Sequence, residues 1–311
     1  MDTTRLRVFR EVVRQGSFTG AATALHVSQP AVSQHIAKLE QELGCPLLER
    51  TSRRVRTTPA GEVFLRHVET LLTRIDDARR ELAALTRSDA GQLRLTVFPS
   101  AAASFVPAVV GAFREAFPKV RVSLSEADPP VALPRLLAGD TDLAVVYDYP
   151  IVGGTRDPRT ADTVIMKDRM AVAVPRDDAL AHPRLIPLDA LADRQWIAPG
   201  PSMCRDAFDE ACRRAGFAPD VVSETNDYQA MLGLVEAGVG IAIVPRMFAA
   251  TARRQTVALR SLTASRLERV VSVVCRAGAP MTPAMEAMGS MLRAARIAEP
   301  SEQHPVPALA A

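Results

Sequence analysis

Apolar residues recur along this chain with a helical period first and a strand period later. Leu6, Phe9, Val12 and Val13 repeat at helical spacing up to Gly16, which predicts a first helix closed by a glycine. Ala21, Ala22 and Leu25 predict a short second helix that runs into the turn His26-Val27-Ser28. Ser28 then caps a third helix with Pro30 in its first turn, where a missing backbone donor costs little, and Val32, Ile36, Leu39 and Leu43 share one of its faces. At about 100° per residue the opposite face carries Pro30, Gln34, Ala37, Lys38 and Gln41, with Gln29 and Ser33 on its flanks.

From Thr58 a long helix is predicted, with Pro59 at its first turn and no other breaker before Gly91. Phe64, Val68, Leu71, Ile75, Ala78, Leu82 and Leu85 are spaced by alternate steps of 4 and 3, a seam that needs a partner helix. Self-association is the simplest source of one.

After Gly91 strands and helices alternate. Strands are predicted at 92–98, 120–125, 142–147, 170–174, 196–197, 221–222, 241–244 and 270–275, and helices at 105–116, 131–138, 204–215, 228–237 and 283–297. Such a series implies an α/β body whose sheet contains parallel pairs. The stretch 299–311 holds proline but no apolar period, and a disordered tail is expected there.

A chain of 311 residues is longer than one core usually supports, so two or more domains are expected. No long uncharged apolar run and no signal-peptide pattern occur, which predicts a soluble, cytoplasmic protein with no membrane partner. Cys45, Cys204, Cys212 and Cys275 form no CxxC pair, so neither a metal site nor a disulfide scaffold is expected, and no cofactor is predicted. Residues 1–90 hold 14 Lys and Arg against 11 Asp and Glu, while the remainder balances at 24 against 24. The surplus of positive charge therefore lies at the N-terminal end, as expected if that part meets a polyanion.

The polar face of the third helix fits double-stranded DNA. Amides and hydroxyls pair with base edges and small residues allow close approach, which makes Ser28, Gln29, Pro30, Ser33, Gln34 and Lys38 the candidate readers. Arg50, Arg53, Arg54 and Arg56, flanked by Thr57 and Thr58, suit a wing lying along phosphates. Arg5, Arg7, Arg10 and Arg14 of the first helix belong to a solvated face, with one or two within reach of phosphate.

These residues carry a specific resemblance. Gly16-Ser17-Phe18, Ala21-Ala22, Ser28-Gln29-Pro30-Ala31-Val32-Ser33, Leu39-Glu40, and Leu43-Gly44 through Leu47-Leu48-Glu49-Arg50 to Thr58-Pro59-Ala60-Gly61 resemble the winged helix-turn-helix of LysR-type transcriptional regulators, Leu48 standing where the family usually has Phe. The resemblance implies a DNA-binding domain over 1–58, a dimerisation helix over 59–90 and an effector-binding domain over 91–298. That last domain is expected to resemble periplasmic binding proteins, with lobe I at about 91–162 and 269–298 and lobe II at about 163–268. It also implies antiparallel linker helices, a homodimer or homotetramer on operator DNA, and a small-molecule effector held between the lobes.

In α/β lobes ligands collect at the carboxyl ends of strands and at helix N-termini. Ser100, Ala101, Ala102, Tyr147, Ser202 and Met203 occupy such places, and the resemblance adds Asn226. Arg205 and Arg246 lie near these loops and Asp227 adjoins Asn226, but the charge of the ligand stays open. Three other readings exist. Peroxide-sensing members of the family oxidise two cysteines in this region, which raises a redox role for Cys204 and Cys212; eight residues apart on one helix would hold the sulfurs about 12 Å from each other, beyond disulfide reach. Ser100 could serve an α/β enzyme as nucleophile, but no GxSxG elbow surrounds it. An architectural DNA protein without a ligand would leave the α/β body without a purpose.

Overall fold

In a computed structural model of the chain, residues 2–50, 55–86, 91–154, 157–249, 256–263 and 267–295 are described. The expected tail at 299–311 lies outside them, as do Arg53 and Arg54, and so do the side chains of Arg50, Leu82 and Leu85. Two compact units divide the chain, an N-terminal one built on Met1–Ser88 and a C-terminal one that begins at Asp89.

The N-terminal unit starts with α1 (Thr3–Gln15), whose first turn is capped by the Asp2 carboxylate on the Thr4 N–H and whose end is a left-handed Gly16. Ser17 caps α2 (Phe18–Leu25) and Ser28 caps α3 (Gln29–Leu43). The α2–α3 turn takes His26 through a left-handed conformation, φ 55°. Val32, Ile36 and Leu39 are buried with Phe9, Val12, Ala21 and Ala22, whereas Leu43 at the helix end is 38% exposed and leaves the predicted face incomplete. A two-stranded wing follows, β1 (Leu48–Arg50) antiparallel to β2 (Val55–Thr57). The Glu40 carboxylate sets its start by accepting from the backbone N–H of Leu47 and Leu48 at 2.7 and 3.1 Å. Arg5 of α1 is drawn into an ion pair with Glu42 of α3.

The long helix α4 (Pro59–Thr86) begins where Thr58 donates its hydroxyl to the Pro46 carbonyl and accepts from the Gly61 N–H. Its apolar seam is corrected at the first turns. Val68 is fully buried and Phe64 lies 5.4 Å from the Phe9 ring, so these two residues, with Leu72, complete the N-terminal core and are not free for a partner helix. Leu71 is 42% exposed and Ala78 is exposed, with Ile75 half-buried. The intradomain stripe thus runs through 64, 68 and 72, one step of four further than the predicted heptad.

The C-terminal unit is one mixed ten-stranded sheet with helices against it. Its first part comprises β3 (Gln92–Val97), α5 (Pro99–Ala102), α6 (Val106–Ala116), β4 (Arg121–Glu126), α7 (Pro129–Leu137) and β5 (Leu143–Asp148), with β3 parallel to both β4 and β5. Next come β6 (Thr160–Pro175), β7 (Leu185–Pro187), β8 (Gln195–Ala198), α8 (Met203–Arg214), β9 (Asp220–Glu224), α9 (Tyr228–Glu236), β10 (Ile241–Pro245) and α10 (Arg246–Ala249). The chain closes with β11 (Val257–Thr263), β12 (Glu268–Arg276) and α11 (Pro283–Ala294).

Strand β6 is longer than expected and is shared between two half-sheets. Residues Thr160–Arg169 pair with β12, which also pairs with β5, while Met170–Pro175 pair with β10 and β11. The polar half of β6, the short β7 and all of β11 are absent from the sequence expectation. Leu93, Leu95, Val97, Val145, Val172, Trp196 and Ile243 line the core between sheet and helices.

Gly61 tests the close packing of wing and helix. A Cβ at this position would overlap the Leu47 carbonyl oxygen, which is backbone and cannot turn away. Gly61→Ala is expected to destabilise the N-terminal unit by about 1–3 kcal/mol. Denaturant unfolding checks it, and an unchanged midpoint would contradict this contact.

Candidate functional site

Two places gather chemistry. The first is the outer flank of α3, where Gln29, Pro30, Gln34 and Lys38 are exposed and Ser33 is half-buried. The Gln29 amide donates to Ser33 Oγ at 3.4 Å, which holds both side chains on one flank at the helix start. Ser28 Oγ is occupied as the cap, accepting from the Ala31 N–H. No carboxylate occupies these positions. Arg50 belongs to β1 of the wing, and the turn that carries Arg53 and Arg54 lies outside the described residues.

The second place is a cleft of about 450 Å³, partly open to solvent, at the carboxyl ends of the strands in the C-terminal unit. Ser100, Tyr147, Ser202 and Asn226 meet on its wall, joined by Phe98, Asp128, Cys204, Tyr228, Met231 and Arg269. Three predicted lining residues do not reach it. Ala101 is fully buried in the core beneath α5, and Ala102 and Met203 pack against that same core. Their small or apolar side chains point inward because α5 and the start of α8 each turn one face to the sheet.

The hydroxyl of Ser202 is a helix cap, accepting from the Arg205 N–H at 3.2 Å and donating to the Gly200 carbonyl at 2.9 Å. Asp227 caps α9 on the Gln229 and Ala230 N–H groups. The Asn226 amide between these caps makes no hydrogen bond within the described residues. Tyr147 donates to Asp128 Oδ1 at 3.0 Å, and its ring meets those of Phe98 and Tyr149 edge-on. Burial, then the Asp128 charge, push the Tyr147 phenol well above its ordinary range, so it is a neutral donor.

Arg269, which the sequence reading did not single out, is the floor of the cleft. It lies directly opposite Asp168 in the β12–β6 register and is 1% exposed. Its Nε donates to Asp168 Oδ2 at 3.0 Å and its Nη2 to Ser100 Oγ at 2.8 Å, while its guanidinium stacks 4.8 Å from the Phe98 ring centroid and 5.1 Å from that of Tyr147. Asp168 Oδ1 in turn accepts from the Met247 N–H of α10 at 3.0 Å. Burial works against the Arg269 charge, yet the surrounding acidic groups, Tyr149 and Asp168 first, outweigh it and raise its pKa. Ser100 therefore serves Arg269.

Cys204 and Cys212 both lie on α8, buried. Burial pushes the Cys204 thiol up and the Cys212 thiol up to about 12, which suppresses the thiolate that redox chemistry needs. Among the described residues no cluster of metal-ligating side chains occurs, and no helix is long and apolar enough to cross a membrane.

Residues 3–62 match the bacterial regulatory helix-turn-helix protein family lysR, and residues 86–296 match the LysR substrate binding domain. The chain is similar to the HTH-type transcriptional regulator AlsR of Bacillus subtilis (strain 168), 32% identical over 79% of this chain and 80% of that protein. It is also similar to the transcriptional dual regulator GltC of the same organism, 30% identical over 88% of this chain and 90% of that one. Among solved structures, full-length CbnR complexed with its target DNA aligns with a TM-score of 0.61 at 26% identity, over 94% of this chain and 99% of that chain. A full-length OxyR variant from Pseudomonas aeruginosa shares the fold with a TM-score of 0.73 at 21% identity, over 98% and 99% of the two chains. The helix-turn-helix with its wing, the long following helix and the α/β body with its cleft thus fall in one order along one chain, and the protein belongs to the LysR family of DNA-binding transcriptional regulators.

Proposed function

We propose that this regulator reads its operator with Gln29, Pro30, Ser33, Gln34 and Lys38 of α3, and that a small effector governs operator binding from the cleft above Arg269. Residues 1–58 form the DNA-binding domain in this reading, 59–90 the dimerisation helix and 91–298 the effector-binding domain. The observation that carries it is the pairing, within one chain, of an uncovered polar helix flank free of carboxylates with a cleft whose floor is a buried guanidinium. Arg50, Arg53 and Arg54 lie along phosphates, and Ser28 supports the reading helix as its cap. The protein acts in the cytoplasm and without catalysis. Ser100 Oγ takes a hydrogen bond from Arg269, so a guanidinium stands where a nucleophile would need a base.

The oligomer forms through the part of α4 that the N-terminal core leaves uncovered. Leu71, Ile75 and Ala78 begin that surface, and Leu82 and Leu85 extend it by sequence. Phe64 and Val68 brace it from within.

Gln29→Ala and Ser33→Ala are each expected to relax base preference at particular operator positions by about 1–3 kcal/mol. Arg53→Ala, by contrast, should weaken all sequences and flatten the salt dependence by about one unit. Binding titrations on specific and random DNA at several salt concentrations separate the two, and an equal loss for Gln29→Ala on both DNAs would contradict the reading face.

Leu71→Asp with Ala78→Asp should split the oligomer and leave the monomer folded, because neither side chain belongs to the N-terminal core. Light scattering alongside circular dichroism reads this; a native oligomer in the double variant rules the surface out.

Asn226→Trp fills the cleft from its rim, so a DNA footprint that responds to extract of the source cells should cease to respond while effector-free operator binding persists. A footprint that still responds moves the effector elsewhere.

A further inference from the structure

Arg269 has one guanidinium nitrogen that the protein does not use. Nε and Nη2 both reach Asp168 Oδ2, at 3.0 and 2.9 Å, and Nη2 also reaches Ser100 Oγ at 2.8 Å. Nη1 makes no hydrogen bond within the described residues, and it is not sealed from solvent. The residue is 1% exposed and lines the cleft, so the remaining opening of this cation is toward the cleft space. A charged donor edge with so little water around it favours an anionic acceptor, because a charge-assisted hydrogen bond is about twice as strong as a neutral one.

The balance of charge narrows the ligand. Asp168 neutralises Arg269, and Asp128 at the rim adds one negative charge in excess. Asp128 Oδ1 is held by the Tyr147 hydroxyl, whereas Oδ2 makes no hydrogen bond within the described residues. Tyr147 touches both groups: Arg269 Cζ lies 5.1 Å from its ring centroid and Asp128 Oδ1 lies 3.0 Å from its hydroxyl. The guanidinium and the Asp128 carboxylate thus flank one side chain, an arrangement that suits a short molecule with an acceptor at one end and a donor at the other. A dicarboxylate would set its second charge against Asp128. A simple amine would leave Nη1 unmatched.

We propose that the effector is a small monocarboxylate with a hydrogen-bond donor one or two atoms from its carboxyl carbon, an α-amino acid or an α-hydroxy acid. Its carboxylate meets Arg269 Nη1 and its ammonium or hydroxyl meets Asp128 Oδ2. Phe98, Cys204 and Met231 provide an apolar wall for its side chain. The proposal rests on reading this cleft as the effector site.

The test uses the full-length protein, with thermal unfolding and the fluorescence of its single tryptophan, Trp196, as readouts. L-Alanine, L-lactate, propionate, ethylamine and succinate are titrated to tens of millimolar. L-Alanine or L-lactate is expected to bind about tenfold more tightly than the other three, a difference of about 1.4 kcal/mol. Asp128→Asn keeps an acceptor for Tyr147 and removes the charge, so it should weaken L-alanine about tenfold and leave L-lactate within about twofold, which tells ammonium from hydroxyl. Arg269→Lys should abolish both; because Arg269 is buried and that variant risks misfolding, the decision rests on Asp128, whose side chain is exposed. Succinate or propionate binding as tightly as the tighter of L-alanine and L-lactate overturns the ligand class, as does the absence of a shift with every probe or, where L-alanine binds the wild type, an Asp128→Asn protein that holds L-alanine as tightly. Binding, read by thermal unfolding, that survives Asn226→Trp refutes the cleft itself, while L-alanine binding lost in Asn226→Trp but indifferent to Asp128→Asn refutes only the chemistry proposed for it.

Discussion

The ion pair between Arg269 and Asp168 is the constraint on which the C-terminal unit turns. Two opposite charges almost wholly removed from water lose several kcal/mol of hydration each, and their attraction repays this only when the geometry is good and the other polar atoms are matched. Here Asp168 Oδ1 accepts from the Met247 N–H, Arg269 Nη2 donates to Ser100 Oγ, and Phe98 and Tyr147 stack on the guanidinium. The partners come from both parts of the sheet: α5 follows β3, and α10 follows β10. The two strands carrying the pair, β6 and β12, lie where β6 passes from one half-sheet to the other. Cleft chemistry and the join between the half-sheets are therefore one network, and a ligand that engages the guanidinium acts at once on both.

The N-terminal unit solves a different problem with α4. In the proposed reading one helix closes a small core and still keeps an apolar face for a second copy. It does so by rotation along its length: Val68 and Leu72 turn into the core, while Leu71, one residue away, faces outward. Side chains one apart on a helix point about 100° from each other, so the two tasks do not compete. The reading helix α3 has the same economy, with Val32, Ile36 and Leu39 anchoring it and the polar flank left uncovered.

How much was legible follows from the distance over which each contact acts. The cap at Ser28, the start of the long helix at Thr58 and the helices α1 to α4 are local, set by residues three to four apart, and the sequence displays them directly. The first half of β6 was not legible, because Thr160–Arg169 sets Val164, Ile165 and Met166 in a row between polar residues and shows no clean alternation. Arg269 was invisible as a site residue for a related reason. Its partner Asp168 is 101 positions away, and only the strand register brings them together. Ala101 failed in the opposite sense, since a small residue at a helix start serves a cleft wall or a core equally well, and the tilt of α5 decides.

The energetics of the cleft suit a regulator. An effector shifts a conformational equilibrium only by the difference between its affinities for the two forms. Coupling between sites is typically about 1–3 kcal/mol, and one hydrogen bond to a charged group contributes about 1.5–3 kcal/mol. A single bond to Arg269 Nη1, made in one form of the cleft and lost in the other, is thus enough to account for regulation of ordinary strength. The thiol of Cys204 offers no comparable lever, because burial holds it protonated and apolar against Tyr228. In the proposed reading the switch therefore rests on the buried guanidinium, whose charge persists at any physiological pH and whose Nη1 makes no hydrogen bond within the described residues.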